Sequence, residues 1–132
     1  MISYQELLKL AIEARKNAYC PYSGFAVGTA LLCKDGTVYT GCNIENASYS
    51  PTNCAERTAF FKAVSEGKRE FVSIAIVGGS EKLQTCYPCG VCRQVMTEFC
   101  DEKFEVICGI SGDEFEVFSL ADLAPKSFKL KN

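Results

Sequence analysis

Two short segments of the sequence contain the residue types from which a catalytic metal site can be built. They are Cys54-Ala55-Glu56 and, later in the chain, Pro88-Cys89-Gly90-Val91-Cys92. Because the chain has no histidine, a tight transition-metal site must use thiolates and carboxylates, and a general base cannot be imidazole. The three cysteines of these segments supply three thiolate ligands for zinc and leave the fourth tetrahedral position open for water. Glu56 then stands beside the metal as a carboxylate that does not bind it. The pattern predicts hydrolytic chemistry at zinc.

The spacing of the cysteines indicates how they meet. Cys89 and Cys92 are three residues apart in the first turn of a predicted helix, so their sulfur atoms lie on one face. Cys54 begins another predicted helix. If the two helix N-termini meet, the three thiolates converge on one ion, and the partial positive charge of the helix termini stabilises them.

Three sequence blocks together resemble the cytidine deaminase family. They run from Gly41 to Tyr49, from Cys54 to Ala59 and from Pro88 to Val95, in the order and spacing of that family. Cys-x-Glu followed by Pro-Cys-x-x-Cys is the three-cysteine form of the zinc deaminase signature. The likeness extends from about Ser3 to Phe128 and is strongest to the small homotetrameric branch that acts on free nucleosides. It implies zinc-dependent deamination of cytidine and 2′-deoxycytidine, with one Zn2+ per subunit.

The same resemblance assigns roles to individual residues. Cys54, Cys89 and Cys92 are the expected metal ligands, and Glu56 is the expected catalytic proton carrier. Three thiolates give the zinc site a formal charge of −1, so Arg57, beside the Cys54-x-Glu56 unit, is the expected donor of hydrogen bonds to the sulfurs. The expected substrate-binding residues are Phe25 against the base, Asn43 and Glu45 on the ribose, Ala55 at the base edge, and Ala47, Tyr49 and Phe128, the last two reaching a neighbouring subunit's site.

Each of these assignments has a competing interpretation. Cys86 adds a fourth thiol, and a closed four-cysteine zinc site would be structural, although Pro88 separates Cys86 from the helix of the other pair. Glu56 can serve helix capping alone, and Arg57 can be a surface residue. Without the resemblance, the loop from Asn43 to Asn46 is a solvated polar loop and Phe25 is a core residue.

Two rival functions follow from these alternatives. One is a deaminase of the same fold that acts on a cytosine-nucleoside antibiotic or another aminopyrimidine, because that reaction needs the same zinc chemistry. The other is a structural zinc domain that acts as a binding module. The motif residues alone do not separate the first rival from cytidine deamination.

Composition limits the class of protein. The chain has 132 residues, of which 48% are hydrophobic, and we expect one catalytic domain over residues 1–132. Nine cysteines, an odd number, together with no visible export signal and no apolar run of membrane-spanning length, favour a reduced, cytoplasmic setting. The net charge is −2 and the basic residues are scattered, so we expect no nucleic-acid partner and no membrane partner.

Hydrophobic periodicity predicts a three-layer α/β/α sandwich with a mixed five-stranded sheet. Residues 104–110 and 114–119 are joined by a turn too short for a crossover, so those two strands should be antiparallel. The strand–helix–strand unit that contains Cys89 and Cys92 should be parallel. The predicted helices are 4–19, 54–66 and 88–100, and the other predicted strands are 26–33, 37–42 and 72–78.

Overall fold

The computed structural model describes residues 1–130. The helices are α1 (Tyr4–Arg15), α2 (Ala55–Ser65), α3 (Gly90–Phe99) and α4 (Leu120–Leu123). The strands are β1 (Ala26–Cys33), β2 (Val38–Cys42), β3 (Phe71–Gly79), β4 (Leu83–Gln84), β5 (Glu105–Gly109) and β6 (Phe115–Ser119). Within residues 1–130 none of the helices is long and apolar enough to cross a membrane.

The sheet has the mixed topology predicted from the sequence. Its strand order is β2-β1-β3-β5-β6. β3 and β5 pair in parallel across the α3 connection, and β5 and β6 form the predicted antiparallel hairpin. The two-residue strand β4 adds a sixth strand by pairing with the end of β3, and a segment so short carries no alternation of hydrophobic and polar residues by which to predict it.

Helices cover both faces of the sheet, which gives the three predicted layers. On one face, Leu7, Leu8 and Ala11 of α1 pack against alternate residues of β1, β3 and β5. On the other face, Ala59 and Phe60 of α2 pack with α3 against the intervening residues of the same strands. Because successive side chains of a strand point to opposite faces, the central strand β3 is buried on both sides. This explains its continuous run of apolar residues.

Some element boundaries differ from the predicted ones. α1 ends at Arg15 instead of Tyr19, because Tyr19 leaves the helix to form backbone hydrogen bonds with Asn43 and Glu45. α3 begins at Gly90, after the N-cap Cys89, so Pro88 precedes the helix and does not occupy its first turn. The short helix α4, which was not predicted, is stabilised by a capping box of Ser119 and Asp122.

The start of α2 lies directly on the hairpin of β1 and β2. A side chain at Gly41 would collide with the carbonyl oxygen of Ala55 and would lie 2.7 Å from the amide nitrogen of Ala59. The buried hydroxyl of Thr29 donates a hydrogen bond of 2.9 Å to the Ala55 carbonyl, and the hydroxyl of Thr58 donates one of 3.0 Å to the Cys42 carbonyl. The sheet therefore fixes the position of the first turn of α2.

Replacing Gly41 should displace α2. We expect Gly41→Ala to lower the free energy of unfolding by about 1–3 kcal/mol, because an added methyl group in a packed contact forces the backbone to move. Gly112→Ala is the matched control, since its nearest neighbouring atom would be 3.7 Å away. Urea unfolding followed by circular dichroism measures both. Equal stability of the two variants would contradict this close approach.

Candidate active site

The sulfur atoms of Cys54, Cys89 and Cys92 converge at the start of two helices. Cys54 is the N-cap residue of α2, Cys89 is the N-cap residue of α3, and Cys92 lies in the first turn of α3. The Sγ atoms are 3.7 Å apart between Cys54 and Cys89 and 3.5 Å apart between Cys89 and Cys92. Zinc–sulfur bonds of about 2.3 Å in a tetrahedral site place sulfur atoms about 3.8 Å apart, so the cluster has the dimensions of a zinc site.

The cluster is distinct within residues 1–130. In that part of the chain, no other group of three histidine, cysteine or acidic side chains lies close enough to share an ion. Cys89 is exposed and Cys54 is half-buried, so solvent reaches the cluster from one side. Three sulfur ligands with one accessible side are suited to a four-coordinate ion that keeps one position for water.

The environment of Cys54 favours its thiolate. Hydrogen bonds from the thiol of Cys92 and from Arg57 lower the pKa of Cys54 to about 5. The pKa of Cys92 is raised, because its proton is donated to Cys54 and because the residue is buried. A metal ion that binds all three sulfurs must displace the remaining thiol protons, which makes binding dependent on pH.

Arg57 contacts the sulfur cluster directly. Its Nη2 atom lies 3.2 Å from Cys54 Sγ, and its Nε atom is buried with no hydrogen-bond partner among residues 1–130. Burial opposes the guanidinium charge, but hydrogen bonds to the sulfurs of Cys54 and Cys92 outweigh it and raise the pKa of Arg57 above its ordinary value. The residue is therefore bound to the cluster and is not a free surface arginine.

Glu56 is a buried carboxyl group beside the cluster, with only 4% of its surface exposed. Burial is the largest cause that raises its pKa to about 7; the negative charge of Cys54 acts in the same direction, and its own backbone amide opposes the shift. A capping box would need a Glu or Gln at the third helical position, which Arg57 occupies. Helix capping therefore does not explain why Glu56 is buried beside three sulfurs.

Cys86 lies apart from the three converging sulfurs. A side chain at Gly78 would lie 3.1 Å from Cys86 Sγ and 3.0 Å from Cε1 of Phe25, so both residues pack over the glycine near the end of β3. Burial raises the pKa of Cys86 to about 11, with smaller contributions from the charges of Glu56 and Cys54. The geometry thus offers three sulfurs for one ion, and Cys86 forms a neighbouring wall next to Phe25.

The amide of Asn43 is bound to the backbone on both sides of Ala26. Its Oδ1 atom accepts a hydrogen bond of 2.8 Å from Val27 N, and its Nδ2 atom donates one of 2.8 Å to the Phe25 carbonyl. Asn43 therefore fixes the backbone that carries Phe25. The family resemblance assigned Asn43 to the ribose, and no local pattern in the sequence indicated this second role.

Glu45 organises the preceding turn in a similar way. Its carboxylate accepts hydrogen bonds from the amides of Tyr22 at 3.0 Å and of Ser23 at 3.1 Å, and from the Ser23 hydroxyl. The Ser23 hydroxyl bond lowers the pKa of Glu45, so the group is a carboxylate at neutral pH. A groove of about 400 Å³ lies over it, lined by Tyr22, Ser23, Glu45, Asn46, Tyr49 and Thr52.

The remaining predicted substrate residues differ in exposure. Ala55 is fully buried, and its carbonyl is bound by Thr29. Ala47 is exposed in the loop, and Tyr49 is 74% exposed with a left-handed φ of 65°. Phe128 is 67% exposed. Among residues 1–130, no side-chain hydrogen bond joins Ala47, Tyr49 or Phe128 to the three cysteines.

Thr29 is a site residue that the sequence-based prediction missed. It is completely buried in the middle of β1, and its hydroxyl holds the first carbonyl of α2, directly between Cys54 and Glu56. An isolated polar residue within an apolar strand was the available signal, because a buried hydroxyl group needs a hydrogen-bond partner.

Comparisons with curated proteins agree with this geometry. The chain is 52% identical to a cytidine deaminase of Halalkalibacterium halodurans over 124 residues, which cover 94% of this chain and 92% of the relative. It is 51% identical to a cytidine deaminase of Sporosarcina psychrophila over 125 residues, covering 94% of this chain and 90% of the relative.

Solved structures of similar proteins have the same fold. Cytidine deaminase from Burkholderia pseudomallei matches with a TM-score of 0.89 and 46% identity, over 96% of this chain and 100% of that one. The enzyme from Mycobacterium tuberculosis matches with a TM-score of 0.84 and 37% identity, over 98% of this chain and 100% of that one. Residues 1–108 also match the family model described as the cytidine and deoxycytidylate deaminase zinc-binding region. With three sulfurs and a buried glutamate in the arrangement that a zinc deaminase requires, the chain belongs to the cytidine and deoxycytidylate deaminase family.

Proposed function

We propose that this protein converts cytidine and 2′-deoxycytidine to uridine and 2′-deoxyuridine by hydrolysis, with release of ammonia. The observation that carries the proposal is the buried carboxyl group of Glu56 beside three converging sulfurs. A structural zinc module gives no reason to bury an acidic side chain there, because burial of a carboxylate is unfavourable. The curated relatives are named cytidine deaminases, which supports the same substrate class.

Cys54, Cys89 and Cys92 are the residues that would hold the zinc ion. When bound, zinc acts as a Lewis acid that makes water acidic enough to provide hydroxide near neutral pH. Because three thiolates add negative charge, which opposes the ionisation of water, Arg57 offsets part of it by donating to the sulfur of Cys54 at 3.2 Å. The helix N-termini at Cys54 and Cys89 add partial positive charge to the same place.

Glu56 transfers the protons of the reaction. Its carboxylate takes a proton from the attacking water and delivers it to the ring nitrogen of the base as oxygen bonds to the carbon that carries the amine. It then moves a second proton, from the new hydroxyl group to the amine, and the carbon–nitrogen bond breaks to release ammonia. No histidine is present in the chain, so no imidazole can take this role.

Nucleoside binding is proposed to involve Phe25, Asn43 and Glu45. Asn43 and Glu45 fix the turn that carries Phe25, and each keeps unused hydrogen-bonding capacity, one amide hydrogen on Asn43 and further lone pairs on Glu45. A carboxylate at this place accepts hydrogen bonds from sugar hydroxyl groups and repels a phosphate. We therefore propose that nucleosides are preferred over nucleotides. Ala55 is the first residue of α2, so its backbone amide has no partner within the helix and is offered to the base, while its carbonyl is bound by Thr29.

A homotetramer is proposed as the active assembly. Tyr49 and Phe128 are large and exposed, which fits residues that complete a neighbouring subunit's site together with Ala47. Phe61 on α2 and Val91 on α3 are 49% and 57% exposed, so apolar surface also lies beside the metal-binding helices. We further propose that residues 1–132 act as one domain and that the protein works in the cytoplasm, where nine free cysteines stay reduced.

The function is tested by one spectrophotometric assay over a set of substrates. We expect loss of the cytosine absorbance with cytidine and deoxycytidine, and little turnover of cytidine monophosphate, adenosine or free cytosine. Turnover of another aminopyrimidine nucleoside in preference to cytidine would support the antibiotic-type rival. Efficient turnover of cytidine monophosphate would contradict the proposed role of Glu45.

The matched control for this assay is Glu56→Gln, which keeps the shape of the side chain and removes its proton capacity. We expect kcat to fall by at least roughly 10³-fold, because one group serves two proton transfers. Zinc content, fold and oligomer should be unchanged. A zinc-loaded Glu56→Gln protein within about tenfold of normal kcat would exclude Glu56 as the proton carrier.

Two cysteine variants separate an open metal site from a closed one. Cys89→Ala should lose zinc and lower the free energy of unfolding, since the free energy of metal binding also stabilises the fold. Cys86→Ser should retain one zinc per chain and its activity, because Cys86 packs against Gly78 outside the sulfur cluster. Metal analysis of the purified variants distinguishes the open site from the closed one. A zinc-free Cys86→Ser protein would contradict the three-sulfur site.

A further inference from the structure

Two hydrogen bonds join Arg93 to the backbone around Cys89. Its Nε atom donates to the Pro88 carbonyl at 2.8 Å, and its own amide donates to the Cys89 carbonyl at 3.0 Å. The carbonyl groups on both sides of the Cys89 α-carbon are therefore bound by one residue. These two peptide planes determine where the Cys89 side chain begins.

The same guanidinium group also reaches the C-terminal part of the chain. Its Nη1 atom donates a hydrogen bond of 2.8 Å to the carbonyl of Leu123. Leu123 is the last residue of α4, where helix carbonyls lack partners and attract a cation. The next residue, Gln94, donates from Nε2 to the carbonyl of Phe128 at 3.0 Å. α3 thus binds the turn that carries Cys89 and the segment that carries Phe128.

We infer that Arg93 is a positioning residue for Cys89, which fixes the metal-binding turn by bridging it to the end of α4. The planar guanidinium group has five N–H donors in a fixed arrangement, so it can bind two carbonyls at once and hold them at a set distance. A lysine ammonium group carries its three N–H donors on one nitrogen at the end of a flexible stem, so it cannot hold two carbonyls at the fixed spacing of this bridge. The inference rests on the proposed zinc site and is independent of the substrate.

Arg69 provides a matched comparison within the same chain. Its Nη1 atom also donates to two backbone carbonyls, those of Val64 and Lys68, both at 2.8 Å. These carbonyls lie at and beyond the C-terminal end of α2, whereas the sulfur cluster lies at the N-terminal end. Arg69→Lys therefore removes a similar carbonyl bridge and leaves the metal-binding turn untouched.

The test measures zinc release from the zinc-loaded protein to a competing chelator. We expect Arg93→Lys to release zinc at least about tenfold faster than the unmodified chain, the size of effect typical when a partner that orients a metal ligand is lost. Its Co2+-loaded form should show shifted d–d absorption bands. Arg69→Lys should match the unmodified protein in both measurements. An Arg93→Lys protein with the unmodified release rate and cobalt spectrum would overturn the inference.

A second measurement uses the unmodified chain, in case Arg93→Lys does not fold. Because coupling between two sites is reciprocal, zinc binding should slow solvent exchange of the Arg93 Nε hydrogen, observed in 15N-resolved NMR spectra. Exchange of that hydrogen at the same rate with and without zinc would also overturn the inference. A chain that binds no zinc at all would instead refute the proposed metal site.

Discussion

The close approach of three sulfur atoms is the interaction on which the rest of this structure depends. The sulfurs lie 3.5 and 3.7 Å apart, and once their protons are lost the thiolates repel one another unless positive charge is placed beside them. Arg57 supplies one full charge at 3.2 Å from Cys54. The N-termini of α2 and α3 each add about 0.3–1 kcal/mol of stabilisation to a nearby anion. The metal then completes the balance of charge.

The sheet brings those two helix N-termini together. The missing side chain of Gly41 and the hydroxyl of Thr29 fix the first turn of α2 on the hairpin of β1 and β2. The parallel pair of β3 and β5 determines where the intervening helix α3 can begin, since a crossover connection starts at the end of one strand. Two neighbouring parts of one sheet thereby place Cys54 beside Cys89 and Cys92. Glu56, in the first turn of α2, is buried at the same place.

The sequence was sufficient for the parts of this arrangement that depend on local patterns. The spacing of Cys89 and Cys92 predicted a shared helix face. Hydrophobic periodicity predicted the strands, and the connections between them predicted the parallel pair and the final hairpin. The sequence was insufficient where long-range hydrogen bonds determine the geometry. Tyr19 leaves α1 because it pairs with the loop at Asn43, and the contacts of Asn43 with the backbone around Phe25 join residues that no local pattern relates.

The fourth position at the metal distinguishes an enzyme from a structural zinc domain. X-ray absorption at the zinc K-edge of the zinc-loaded protein counts the ligands directly. We predict three sulfur atoms at about 2.3 Å and one oxygen or nitrogen atom at about 2.0–2.2 Å. Four sulfur atoms and no lighter ligand would mean that Cys86 closes the site, and would contradict hydrolysis at this centre.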